Sequence, residues 1–434
     1  QFSRQASMLR RSLSLLSSSG RRLLSTITTA KLIRSPAGEP FVALHVAHDG
    51  RRGRLVLPLV WLRDHCLSDE CYNHTTNQRK PNGTELTTKA RIASDQAVSL
   101  DAAAQKLKIA WADGHLSTYD AKQIIDFAIK WEAAATSDLR TLWTAATFGK
   151  ARPIPAVQLA DLKFASLAEH FVRFGFVCIE GVERSAEATE KLCRQLAPFH
   201  DTFFGGFYVF NNKAQAQPEY HADTAYTNEA IGPHTDGTYF PQTPGIQVFH
   251  CLRPAEKGGE TLLVDAFAAA ERLKAEAPEA FRVLANTPID HHYVEMDGDD
   301  AILSWAPEKH VIELDGNRRI RQIRFNPYDR APFSAFTLRK EEESSSNEEL
   351  PSDTEHVATF YSAYEKFSRI CHDSSSALSI SLQPGTVILV DNFRVLHART
   401  AFTGFREMCG CYLSRDNFLA KARPLLSQRI RYDI

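Results

Sequence analysis

The chain has 434 residues, 43% of them hydrophobic and 24% charged, with a formal net charge of -1. That is enough apolar material for two or three packed domains, and the near-neutral balance argues against a nucleic-acid partner. No run of about 18 uninterrupted apolar residues occurs, so no membrane span is expected.

Residues 1–34 carry Arg4, Arg10, Arg11, Arg21, Arg22, Lys31 and Arg34 and no acidic residue. An Arg- and Ser-rich, acid-poor segment of this kind predicts a mitochondrial transit peptide, with Met8 as a candidate start and the matrix as destination. From 35 to 135 a small β-rich domain is expected. Its strands are FVALHVAHDG, RLVLPLVWLRDHC, LKIAWADG and HLSTYD, each bounded by turn residues. AKQIIDFAIKWEAAATSDLRTLWTAA reads as a helical linker.

From 150 to 434 the pattern changes. The helix LKFASLAEHFVRF leads into the buried strand GFVCIEGV. GIQVFHCL, ETLLVDAF, HVIELDG, RRIRQIRF, LSISL, GTVILVD and MCGCYLS follow as short strands, with APEAFRVLA and TEHVATFYSAYEKFSRI as helices of period near 3.6. Short strands with Gly/Pro turns predict a mainly β catalytic domain with supporting helices, a double-stranded β-helix of jelly-roll or cupin-like type. KEEESSSNEELPSDTEH (340–356) reads as a solvated acidic insertion. The eight Cys are scattered along the chain, which suits a reducing compartment, and Cys178, Cys251, Cys409 and Cys411 sit in apolar runs as core residues.

The strongest chemical signal is His234-Thr235-Asp236 in GPHTDGTYF. On a strand, positions i and i+2 share a side, so His234 and Asp236 can reach one metal with Thr235 turned away. His397, about 160 residues later in PGTVILVDNFRVLHART, is the candidate third ligand. Two His and one carboxylate leave three positions open, the arrangement of non-haem Fe(II) oxygenases. Arg406, nine residues after His397, suits the distal carboxylate of 2-oxoglutarate, since guanidinium offers two parallel donors. Thr261 can add a hydroxyl. Arg399 and Arg415 are rival anchors.

PHTDGTYF, GIQVFHCL, GGETLLVD, PGTVILVDNFRVLH and GFREMCGCYLSRD resemble the taurine dioxygenase superfamily. WLRDHC…CYN and WADGHLSTYD narrow the resemblance to the branch that holds γ-butyrobetaine and trimethyllysine dioxygenases, over about residues 40–425. The resemblance implies an Fe(II)- and 2-oxoglutarate-dependent hydroxylase acting at carbon 3 of N6,N6,N6-trimethyl-L-lysine, the first step of carnitine biosynthesis. Ascorbate is then the expected reductant and a homodimer the expected assembly. By the same resemblance Tyr226, Tyr412, Phe204 and Tyr208 line an aromatic cage for the trimethylammonium group, which has no N–H and is held by ring faces. Asp223 attracts the α-ammonium, and Asn326 hydrogen-bonds the α-carboxylate. Cys66, Cys71 and His115 match zinc-binding positions of the branch, but Ser68 stands where the branch has a third Cys. Zinc and a relic domain held by packing alone are both open, with His74 as a possible replacement ligand. The rival functions are γ-butyrobetaine dioxygenase, which a carboxylate at 223 disfavours, and a non-catalytic metal-binding scaffold, which an intact triad disfavours.

Overall fold

The computed structural model describes residues 25–426, except 49, 82, 130–138, 149–152, 213–225, 298–299 and 338–351. The chain divides into two compact units, Gln1–Glu132 and Ala133–Ile434.

In the first unit, strands Thr26–Arg34, Pro40–His48 and Arg51–Pro58 form one antiparallel sheet, and Val98–Asp101, Lys106–Ala110 and Leu116–Asp120 form another. Alternating Val42, Leu44 and Val46 pack with Leu107, Ile109, Trp111 and Ile125 in one core. Two sequence expectations are corrected here. Residues 26–34, taken as the end of the leader, are a strand in register with 40–47, and Ile27 is buried. The rest of the leader, residues 1–24, lies outside the described residues. RLVLPLVWLRDHC is a strand only to Pro58; Leu59–Asp64 is a helix. Pro58 has no N–H for the ladder, sits before the first helical residue, and lets Leu59 and Leu62 reach the core three residues apart.

The second unit is a double-stranded β-helix. Its larger sheet runs Tyr208–Asn211, Glu407–Leu413, Ile246–Arg253, Thr386–Asp391, Phe176–Glu180, Ala156–Gln158, and its smaller sheet runs Ile231–His234, Val395–Arg399, Thr261–Asp265, Ala377–Ile380. Period-two alternation builds the layers. Phe176, Cys178, Ile388, Val390 and Met408 of the larger sheet meet Leu263, Val395 and Leu378 of the smaller one. Val177, Ile179, Val387 and Leu389 point the other way, onto the helices Phe164–Phe174 and Ala186–Leu196. Behind the smaller sheet, Val264 and Leu396 pack on Ala266–Glu276, Pro278–Asn286 and Ser352–His372.

Gly175 ends the first of these helices at φ 76, and a Cβ there would meet Val395 Cγ2 at 2.6 Å. Both the left-handed backbone and the close approach demand glycine. Among the described residues of the expected linker helix, Ala121–Ala128 is helical and 139–144 are not; 130–138 lie outside the described residues. Most of the acidic insertion lies outside the described residues, but its end, 352–356, is the first turn of Ser352–His372, where Asp353 and Glu355 complement the helix dipole. Among the described residues, no helix is long and apolar enough to cross a membrane.

Candidate active site

The two histidines are brought together by strand pairing. His234 and His397 are direct cross-strand partners between Ile231–His234 and Val395–Arg399, with ring centroids 4.4 Å apart. The strand stops at His234, so Asp236 lies in the turn that follows rather than on the strand as expected. Asn392 compensates: its Oδ1 accepts from Asp236 N at 2.8 Å, and its Nδ2 donates to Asp236 O at 2.9 Å and Pro244 O at 2.8 Å. Gly237, at φ 63, completes the turn, and a Cβ there would meet Pro244 Cδ at 2.6 Å. Thr235 does turn away, into the core, where its N–H donates to Phe325 O at 2.8 Å.

Asp236 Oδ1 lies 3.3 Å from His234 Nε2 and 3.4 Å from His397 Nε2. Donor atoms of the three residues all lie within 4.8 Å of one another. Edges of this length suit three donors on one face of a common ion. The other oxygen, Asp236 Oδ2, accepts from the Tyr412 hydroxyl at 3.0 Å, and His234 Nδ1 faces Gly232 O at 2.8 Å. The latter contact directs the lone pair of Nε2 toward Asp236. Burial would raise the Asp236 carboxyl, but the facing His397 and His234 hold it well below the usual range. Burial pushes His397 down, whereas contacts with Asp236 and Gly232 O draw His234 up against its own burial. A neutral imidazole and an ionised carboxylate are the forms that bind a cation. The donor set therefore fits Fe(II).

The cavity beside this cluster is lined by Arg406, Thr261, Tyr226, Tyr412, Phe204 and Tyr208, all expected from sequence. Arg406 is buried, and burial draws its guanidinium below the ordinary value. No carboxylate pairs with it among the described residues, an arrangement costly unless an anion arrives. The rival anchors are otherwise engaged. Arg415 is paired with Asp391 at 3.0 and 3.1 Å, and Arg399 gives Nη2 to Thr227 O and Glu229 O. Tyr208 and Tyr412 stand 5.9 Å apart as an edge-on pair, and Gln247 Nε2 donates to the Tyr208 hydroxyl.

Two expectations meet a different outcome. Asp223 lies outside the described residues. Asn326 lines the cavity, but its amide is spent locally. Nδ2 donates to Asp329 Oδ2 at 2.6 Å and Thr235 O at 3.4 Å, and Oδ1 accepts from the backbone N–H of Tyr328 and Asp329. Both amide hydrogens are used, so Asn326 is not set to donate to a carboxylate. Sequence reading missed Asn392, Asp329, Gln247 and Phe249. Only Asn392 carried a signal, as the polar residue after a buried strand and five positions before His397.

In the first unit, Cys66 Sγ, Ser68 Oγ and Cys71 Sγ stand 3.4, 3.4 and 3.7 Å from His115 Nε2, and Cys66 Sγ is 3.4 Å from Ser68 Oγ. A tetrahedron with Zn–S near 2.3 Å and Zn–N near 2.0 Å has edges of about 3.5 Å. Glu70 Oε2 lies 2.8 Å from His115 Nδ1, leaving Nε2 as the acceptor. Burial opposes ionisation of Cys66, yet contacts with Ser117, Ser68 and His115 bring its thiol down to about 7. The four atoms fit zinc, with a hydroxyl at the fourth corner. His74 is not part of the group: its Nε2 faces Leu67 O at 2.9 Å.

Known proteins resemble this chain in sequence. A family model described as taurine catabolism dioxygenase TauD, TfdA family matches residues 138–412, and one described as gamma-butyrobetaine hydroxylase-like, N-terminal, matches residues 43–124. The chain is 34% identical to mitochondrial trimethyllysine dioxygenase of Bos taurus, over 84% of this chain and 82% of that protein. Identity to the Gallus gallus protein of the same name is also 34%, with the same coverage. Against gamma-butyrobetaine dioxygenase of Pongo abelii it is 26%, over 86% of this chain and 92% of that one.

Proposed function

We propose a function for a chain that belongs to the taurine catabolism dioxygenase TauD, TfdA family: it is an Fe(II)- and 2-oxoglutarate-dependent dioxygenase that hydroxylates carbon 3 of N6,N6,N6-trimethyl-L-lysine. The products are 3-hydroxy-N6,N6,N6-trimethyl-L-lysine, succinate and CO2. The observation that carries the reading is one cavity whose lining includes a two-histidine, one-carboxylate cluster, the buried Arg406 and the rings of Phe204, Tyr208, Tyr226 and Tyr412. The higher identity to trimethyllysine dioxygenases than to the gamma-butyrobetaine enzyme favours this substrate over γ-butyrobetaine.

Each residue has a physical task. His234, Asp236 and His397 would hold Fe(II) on one face, leaving room for the keto acid and oxygen. Bound there with 2-oxoglutarate, the ion supplies oxygen activation, and the protein supplies position and a water-poor cavity. Arg406 gives two N–H donors to the distal carboxylate of 2-oxoglutarate and Thr261 a hydroxyl. Tyr412 holds the outer oxygen of Asp236, so that Oδ1 stays turned toward the histidines. Phe204, Tyr208, Tyr226 and the ring of Tyr412 offer apolar faces to a trimethylammonium group that cannot donate a hydrogen bond.

Ascorbate keeps the iron ferrous. The reaction serves as the first step of carnitine biosynthesis. The protein works in the mitochondrial matrix, supported by the basic leader composition and by relatives named as mitochondrial. It acts as a homodimer, and Cys66, Cys71, His115 and Ser68 hold a structural zinc.

The test is a substrate panel with Fe(II) and 2-oxoglutarate. Trimethyllysine should release succinate with 1:1 hydroxylated product, well ahead of γ-butyrobetaine and taurine. Preference for γ-butyrobetaine would move the assignment to that enzyme. No succinate with any trimethylammonium substrate would leave a metal-binding scaffold.

A further inference from the structure

Gln247 is a polar side chain at a position that packing alone would fill with an apolar one. It lies on the strand Ile246–Arg253, in register with Val390 on one side and Tyr412 on the other. It is completely buried, and its Oε1 has no hydrogen-bond partner among the described residues. A buried amide oxygen left without a donor costs stability, and an apolar residue of the same size avoids that cost. Gln247 also lines the cavity that holds the metal cluster. What the amide contributes there is its other end.

Gln247 Nε2 donates to Val248 O at 3.2 Å and to the Tyr208 hydroxyl at 3.0 Å. The first contact fixes the orientation of the amide, because an oxygen turned toward Val248 O would meet another lone pair. Both amide hydrogens are then used, and the Tyr208 oxygen acts as an acceptor, which leaves its own hydrogen to be given elsewhere. Tyr208 pairs in register with Gly410, two residues before Tyr412 and on the same side of that strand. The two rings stand edge-on at 5.9 Å, and the Tyr412 hydroxyl is close enough to act on that of Tyr208. Tyr412 also has one hydrogen, and it goes to Asp236 Oδ2 at 3.0 Å, since an ionised carboxylate can only accept. What Tyr412 has left to offer Tyr208 is a lone pair.

We propose that Gln247 and Tyr208 are positioning residues for the metal ligand Asp236. The amide sets the direction of a chain of donors, Gln247 to Tyr208 to Tyr412 to Asp236, that ends on the outer carboxylate oxygen. Aligned donors polarise one another, so the last bond is stronger than Tyr412 alone would make it. Asp236 Oδ1 is thereby kept turned toward His234 and His397. The same direction lays both phenol hydrogens along the chain, so Tyr208 and Tyr412 present ring faces rather than O–H dipoles to a cationic group in the cavity. This rests on the Fe(II) reading above.

The experiment titrates Fe(II) into the purified protein without substrate, and measures the melting temperature before metal is added. Gln247→Met keeps the volume and removes the amide. It should weaken Fe(II) binding by roughly three- to ten-fold, less than the effect of about 10–100-fold typical of a direct partner of a metal ligand. The melting temperature of the metal-free variant should stay the same or rise, because the orphaned oxygen is gone. Tyr208→Phe keeps the ring, removes the middle hydroxyl, and should weaken Fe(II) binding to a similar extent. Combined with Tyr412→Phe, either change should add little, because the chain is already cut at its last bond. Wild-type Fe(II) affinity in both single variants overturns the proposal, and so does a loss that adds in full to that of Tyr412→Phe. Loss of stability or of folding in Gln247→Met would make the amide a packing residue and overturn its part; Tyr208→Phe then tests the rest of the chain by the same titration. Absence of Fe(II) binding by the wild type would instead sink the metal site on which the proposal stands.

Discussion

Tyr412 donates its hydroxyl to Asp236 Oδ2 at 3.0 Å, across a separation of 176 residues. A residue expected only as an aromatic wall for the substrate also holds the carboxylate at the centre of the metal cluster. It lies six residues after Arg406, so one stretch of chain carries both a support for the metal ligand and the anchor for the co-substrate.

Removing that hydroxyl should loosen the metal. Tyr412→Phe keeps the ring and loses the bond to Asp236. Partners of metal ligands typically contribute about 10–100-fold in affinity. Titration of Fe(II) into the variant should show weakening of that order, with a smaller change in KM for 2-oxoglutarate. Unaltered metal affinity would remove this role from Tyr412.

Replacing Arg406 by Lys preserves charge and abolishes the two-pronged donor. KM for 2-oxoglutarate should rise by about ten-fold or more, in line with the loss of a charge-assisted bond. Arg415→Lys should not do this, because Arg415 is committed to Asp391. A larger effect at Arg415 would reverse the assignment.

The first unit should carry its own metal. Elemental analysis of the purified enzyme should find zinc besides iron. Cys66→Ser should remove the zinc and lower the melting temperature, leaving KM for 2-oxoglutarate within about two-fold, since structural zinc contributes to folding rather than chemistry. Ser68→Cys should bind zinc more tightly by completing a set of three thiolates and one imidazole. Zinc-free wild-type protein of full stability would mean that packing alone holds this unit.

Stability should fall with acid through His250. Its side chain is buried, Thr189 Oγ1 lies 2.7 Å from Nδ1, and Nε2 accepts from Gly385 N–H at 3.0 Å. Thr189 Oγ1 also donates to Ser185 O at 2.7 Å, so Nδ1 is the protonated nitrogen of a neutral ring. Burial takes its pKa down to about 4, from 6.5. The unfolded chain therefore takes up this proton first as pH drops, and the contribution is full above about 6.5 and lost toward 4. His250→Gln should be less stable than wild type at pH 7, and the gap should narrow as pH falls from 6.5 to 4. A gap that stays constant in urea unfolding would refute the link.

A buried ion pair locks the frame behind the site. Arg394 Nη2 and Asp265 Oδ2 are 2.7 Å apart with side-chain exposures of 2% and 0%, and Asp265 also accepts from Trp143 N–H and caps the helix Ala266–Glu276. Asp265→Asn leaves the guanidinium unpaired and should cost about 3–5 kcal/mol of unfolding free energy. A loss below about 1 kcal/mol would show that neighbouring carbonyls suffice for Arg394.

The sequence by itself determined what local chemistry and periodicity encode: the β-rich architecture, most strands of the second unit, the pairing of His234 and Asp236 with a distant His397, and the candidacy of Arg406. Alternation of period two and a short motif survive in a linear string because neighbours in sequence are their own context. Tertiary structure decided the rest. Residues 26–34 became a strand because 40–47 lay in register beside them. The hairpin Pro288–Asp297 with Asp300–His310 was not anticipated, since its ladder and its packing of Tyr293 on Phe203, Phe204 and Tyr239 supply what its mixed polar sequence did not announce. Asn326 was read as a ligand for substrate, yet its donors go to Asp329 and Thr235, the latter 91 residues away. A polar side chain has a fixed number of donors, and only the folded geometry tells which partner takes them.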